Sequence, residues 1–137
     1  MGLVHTEITL KNRNDMMKAE ENLIPNNKIR QLTVNALVDT GAWTMVINEE
    51  TRAKLGLERT RTKTGTLADG SKAVYDVVGP LEIIWKNRGV LCEAMVIPNA
   101  EINLLGAIPL EAMDLMIHPS SQEVIGAHGD EVIVSVR

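Results

Sequence analysis

The sequence predicts a mostly-β fold, a small closed barrel or sandwich with one or two short helices. Two observations carry this expectation. Runs of alternating apolar and polar residues recur along the chain, the period of half-buried strands. Turn-forming clusters such as Ala68-Asp69-Gly70-Ser71 and Lys86-Asn87-Arg88-Gly89 separate those runs at hairpin spacing.

The elements follow in order. Val4, Thr6, Ile8 and Leu10 alternate with His5, Glu7, Thr9 and Lys11 and form the first strand. Asn12 to Asn27 is polar and turn-rich, and reads as a long loop with one helical turn at Met16–Glu21. Lys28 to Val38 is the second strand. It ends in Ala36-Leu37-Val38, apolar on both faces. Residues 48–57 form the clearest helix: Asn48 is a natural N-cap, Glu49 and Glu50 suit the positive end of the helix dipole, and Gly56 suits the exit. Arg59–Leu67 and Lys72–Val78 form a hairpin around Ala68–Ser71. Leu81–Trp85 and Val90–Ile97 form another. A second short helix is expected at Pro109–Met113. Leu115–His118, Glu123–Ala127 and Glu131–Val136 read as closing strands.

Length and composition bound the function. The 137 residues suit one domain, 1–137, since domains run to about 100–200 residues. No apolar run approaches the roughly 20 residues of a membrane helix, and the first residues do not read as a signal peptide, so a cytoplasmic protein away from membranes is expected. The net charge is −4 and only Trp43, Trp85 and Tyr75 are aromatic, which argues against nucleic acid as a partner. Cys92 is the sole cysteine, and His5, His118 and His128 are scattered without ligand spacing. No metal and no cofactor are expected. Cys92 reads as an inert buried thiol, and Trp85 and Tyr75 as hairpin packing. Trp43 suits either the core or a substrate pocket. Arg59, Arg61 and Lys63 read as a solvated strand face, with attraction of acidic peptides as the lesser reading.

The chemically unusual segment is Ala36-Leu37-Val38-Asp39-Thr40-Gly41-Ala42. An apolar strand runs directly into a carboxylate, and burial there would demand hydrogen bonds or a neighbour. The plain alternative is an Asx turn at Asp39. Gly41 permits a sharp backbone turn. About sixty residues later Asn103-Leu104-Leu105-Gly106 precedes a helix that begins near Ala107.

In order and spacing, from about residue 28 to 118, these motifs resemble retropepsin-like aspartic peptidases, especially the small prokaryotic single-domain members. The resemblance implies a closed retropepsin-like β-barrel. It implies Asp39 as the catalytic residue, with Thr40, Gly41 and Ala42 in its loop. Leu67, Ala68, Asp69, Gly70 and Ser71 would form a substrate-binding flap. Leu104, Leu105 and Gly106 would thread behind the catalytic loop. The strand Val132–Val136 would pair across a dimer. Trp43, Thr44 and Met45 stand where retroviral members carry acidic residues, and Ala107 where they carry an arginine, so the retroviral charge network bracing the dimer is absent.

This chemistry needs two carboxyls sharing one proton. The chain has one Asp-Thr-Gly, so the second carboxyl must come from a second copy across a two-fold axis. The expected function is an aspartic endopeptidase acting as a homodimer on peptide or protein substrates, broad or narrow in target. A peptide-binding module without turnover is the alternative.

Overall fold

The computed structural model describes residues 3–66 and 69–129. Nine strands and three α-helices lie among them: β1 (His5–Asn12), α1 (Arg13–Glu20), β2 (Gln31–Val38), β3 (Met45–Ile47), α2 (Glu49–Leu55), β4 (Arg59–Thr66), β5 (Lys72–Trp85), β6 (Arg88–Val96), β7 (Leu104–Leu105), α3 (Ala107–Ala112), β8 (Leu115–Ile117) and β9 (Val124–Gly126). The mostly-β expectation holds. The expected strand Glu131–Val136, and Leu67 and Ala68 of the expected hairpin tip, lie outside the described residues. No described helix is long and apolar enough to cross a membrane.

The main sheet runs β1-β2-β7-β3-β6-β5, and β1 pairs back onto β5, so these six strands close into a ring. Closure removes the open edges that an ordinary sheet must protect. Among the described residues β4 pairs only with β5, and it extends from the ring. Ile8, Leu10, Ala36, Met45, Ile47, Leu81, Ile83 and Leu105 fill the interior. Each large aliphatic side chain buried this way stabilises by about 1.5–3 kcal/mol.

Four expectations need correction. Half of the long loop expected after β1 is α-helix. The Asn12 side chain accepts from Asp15 N at 3.1 Å and caps α1, while its amide donates to the Leu55 carbonyl at 2.9 Å. The returning chain is fastened by Arg30, whose guanidinium donates to both oxygens of Asp15 at 2.8 and 3.0 Å. A 3-10 turn over Asn26–Lys28 lies between, so the second strand begins at Gln31 rather than Lys28.

The two expected hairpins share one strand. β5 continues through Gly79-Pro80, where its register with β6 slips between Val78 and Leu81. Its first half pairs with β4 and its second half with β1. Proline lacks the ladder donor and fits the slip.

The last helix starts at Ala107, where the Leu104-Leu105-Gly106 motif placed it, two residues before the proline that turn chemistry alone would have opened it with. Pro109 sits within the first turn, where backbone N–H groups have no helical partner to lose. The helix over 49–55 matches its sequence signals: Asn48 accepts from Thr51 N at 2.8 Å, and Gly56 leaves it with φ +60°.

Candidate active site

Asp39 follows the last residue of β2. Its backbone N–H donates to the Leu105 carbonyl at 3.0 Å, so β7 holds the strand end in place. The Asp39 carbonyl accepts from Ala42 N at 3.1 Å and closes a turn. Its Oδ1 accepts from Gly41 N at 2.9 Å. This is the Asx geometry of the plain reading, formed by the same atoms that the resemblance marks as catalytic. Within one chain the Asp39 carboxylate is half-buried rather than enclosed, so the desolvation expected from sequence is not complete here.

The glycines act differently from expectation at one point. Gly41 does not use left-handed backbone. Its small size matters instead, since a Cβ would lie 3.1 Å from Asp39 Oδ1. Gly106 has a firmer reason to be glycine: a Cβ there would come within 2.2 Å of the Thr44 carbonyl oxygen. Beyond it, Ala107 N donates to the Ala42 carbonyl at 2.8 Å and Ile108 N to the Trp43 carbonyl at 2.9 Å. The loop 39–44 is thus fastened from below by residues 105–108. Thr44 Oγ1 adds a bond to the Glu93 carbonyl at 3.3 Å.

Among the expected site residues, Asp39, Gly41 and Ala42 are brought together with Leu105 and Gly106. Thr40 is exposed and its hydroxyl has no hydrogen bond among the described residues. At the hairpin tip, Asp69 Oδ1 accepts from Ser71 N at 2.8 Å, and Gly70 takes φ +86°. The Ser71 side-chain and backbone bonds hold the Asp69 carboxyl below its ordinary range. Asp69, Gly70 and Ser71 do not line the cavity beside the loop. The stem does: a cavity of about 300 Å³ lies between Gly41–Thr44 and residues 63–66 of β4, with Val46 and Met95 also on its wall.

Sequence reasoning missed Val46 and Met95 at this cavity, placed Thr64, Gly65 and Thr66 in the hairpin without a role there, and gave Lys63 contact with acidic peptides only as its lesser reading. Strand alternation could have placed Lys63 and Gly65 on one face, but not opposite the loop. Trp43 is 75% exposed, so the core alternative fails for it, and it lines the same cavity. Trp85 is packed as expected, its indole N–H donating to Thr6 Oγ1 at 2.9 Å. The solvated-face reading of the β4 cations needs refinement, because Arg59 reaches Asp76 at 4.0 Å and Arg61 pairs with Glu93 at 2.8 Å.

A larger cavity of about 430 Å³ lies elsewhere, lined by Asn12, Asp15, Arg30 and Gly56 among others. Asp15 and Arg30 on its wall pair with each other, and Arg30 holds the Asp15 carboxyl below its usual range. No group of three or more metal-ligating side chains occurs among the described residues. Cys92 is partly buried, and burial followed by the Glu93 charge pushes its thiol up to about 12. His128 Nδ1 lies 2.9 Å from the Asp114 carboxylate, and His118 Nδ1 accepts from Ser120 N at 3.2 Å.

Arg88, expected in a turn, opens β6 and is 6% exposed. It donates to the carbonyls of Met113, Asp114 and Gly129 at 3.2, 2.9 and 2.7 Å. It therefore ties the end of α3 to the hairpin formed by β8 and β9.

No protein of curated function matches this chain. Among solved structures, EIAV protease complexed with the inhibitor HBY-793 is similar at 27% identity, over 58% of this chain and 76% of that one, with a TM-score of 0.46. Residues 26–108 match the family described as aspartyl protease. That span is more than half of the 137 residues and contains both the Asp39 loop and the Gly106 segment that fastens it. The chain belongs to the aspartyl protease family.

Proposed function

We propose that this chain is a single-domain aspartic endopeptidase that works as a two-fold homodimer in the cytoplasm. The observation that carries the reading is the Asp39-Thr40-Gly41 loop, held by Leu105 and the first amides of α3 inside the span matching the family. Backbone bonds on both sides fix where the carboxylate stands, and a fixed carboxylate is what proton transfer at a set distance requires.

One chain supplies one such carboxylate. In the proposed dimer, Asp39 of each copy lies beside the axis, and the pair shares one proton. The ionised member takes a proton from a water as its oxygen attacks the scissile carbonyl carbon. The protonated member donates to the carbonyl oxygen. The half-exposed state of Asp39 in one chain suits a group that a second copy would cover. Thr40 is exposed and free to bond across the axis, and the hairpin of β4 and β5 would cover the peptide. No metal or cofactor enters this chemistry.

The test is cleavage of an unbiased peptide library by wild type and Asp39→Asn from pH 4 to 8. The amide is nearly isosteric but cannot act as a base, so cleavage should vanish while the fold persists. Equal cleavage by both proteins would remove Asp39 from the mechanism. No cleavage by either, from a proven dimer, would favour the binding-module reading.

A further inference from the structure

The cavity beside the loop has a chemistry of its own. Ala42, Trp43, Val46 and Met95 give it an apolar surface, and among the described residues Lys63 is the only charged one on its wall. The neighbouring cations of β4 are engaged: Arg59 with Asp76 and Arg61 with Glu93. Lys63 has no ion pair among the described residues, and no Asp or Glu lines the cavity. This cation is not a reflection of overall charge, because the chain carries −4. Trp43 at 75% exposure is a large apolar surface left in water beside an apolar hollow, as at a contact site.

The backbone beside the cavity suits an extended ligand. Among the described residues β4 pairs only with β5, so its other edge keeps N–H and C=O groups that none of them pairs. A peptide laid along such an edge gains main-chain hydrogen bonds and puts alternate side chains on one face, about 7 Å apart. Lys63 and Gly65 have the same two-residue spacing along β4.

We propose that this cavity takes one apolar side chain of an extended peptide substrate, and that Lys63 selects peptides with a Glu or Asp within two positions of that side chain. This deepens the peptidase reading and rests on it. The ammonium supplies charge and up to three donors at the rim, while the apolar wall rejects a charged side chain from the interior. Trp43 supplies the contact area.

The experiment uses three fluorogenic peptides that differ only in having Glu, Gln or Lys two positions from a shared Leu. Wild type should cleave the Glu peptide about fivefold better than the Gln peptide, the upper range for a solvent-exposed ion pair. The Lys peptide should be poorest. The preference should shrink with added salt. Lys63→Glu should invert the order, Lys63→Gln should flatten it, and Trp43→Ala should weaken all three peptides through KM. Lys63 and Trp43 are exposed, so these variants should fold.

Efficient cleavage of all three peptides at one rate, or an order unchanged by Lys63→Glu, overturns the selection while leaving the peptidase reading intact. If wild type cleaves none of the three, the unbiased library decides the peptidase reading, and anisotropy of the same labelled peptides decides the subsite. Glu-peptide binding that inverts in Lys63→Glu supports it, and equal binding of all three or no binding overturns it.

Discussion

Gly106 lies directly beneath Thr44: a Cβ on Gly106 would sit 2.2 Å from the Thr44 carbonyl oxygen and 2.8 Å from its amide nitrogen. Both are backbone atoms and cannot rotate away. Gly106→Ala should therefore push the loop 39–44 off its support and destabilise the protein by at least about 1–3 kcal/mol, as for overpacking. Gly70→Ala is the control, because a Cβ there meets nothing within 4 Å and the residue pays only for φ +86°. Urea midpoints check both. An unchanged midpoint for Gly106→Ala would show that the loop yields freely.

The proposed dimer makes a concentration-dependent prediction. Sedimentation at high micromolar concentration should give the mass of two chains, and Asp39→Asn should keep it, since the amide removes like-charge repulsion at the axis. A single-chain mass throughout would leave Asp39 without its mate.

Asp15 should make stability depend on acid. Arg30 lowers its folded pKa below the ordinary value of about 3.9, mainly through the side-chain hydrogen bond. A depressed carboxyl stabilises fully above its unfolded pKa, and that contribution is lost as pH falls through the folded value. Asp15→Asn should cost about 1–3 kcal/mol at pH 7, with half-exposed Arg30 keeping it below a fully buried pair. The gap from wild type should narrow between pH 7 and about pH 3, below the unfolded carboxyl value of about 3.9. Denaturant midpoints at both pH values test this, and an equal gap at both would exclude the ion pair as its source.

Cys92 should be chemically quiet. With its thiol near 12, only roughly one molecule in ten thousand carries the thiolate at pH 8. Alkylation of the folded protein should be at least about a hundredfold slower than in guanidinium, where the thiol returns to about 8.5. Mass spectrometry of iodoacetamide time courses reads the ratio, and equal rates would mean that the strand opens readily.

Much of the site was legible because its signals are local. Val38-Asp39-Thr40-Gly41 and Leu104-Leu105-Gly106 are contiguous strings, and their order is visible without a fold. The family match over 26–108 spans both. What joins them is not local. Val38 pairs with Leu105 and Val46 with Leu104, across about sixty residues of intervening chain, and loop closure of that length leaves no mark on either string. The stem of the hairpin, rather than its Asp69-Gly70 tip, faces the loop, which depends on the twist and length of β4.

By itself, the sequence determined the alternation of β1, the Asn48 and Gly56 bounds of α2, the Asp-Gly turn between β4 and β5, and the carboxylate at the end of β2. Each follows from backbone preferences within a few residues. Only the tertiary structure decided the rest. The helix α1 is fastened by the pairing of Asp15 with Arg30, fifteen residues on. The short strands β3 and β7 are too brief to announce themselves and gain their ladders from distant partners. Arg88 is buried because three carbonyls of the later chain converge on its guanidinium. In each case a polar or short segment is held by groups far away in sequence, and the free energy that holds it exists only once the chain has closed.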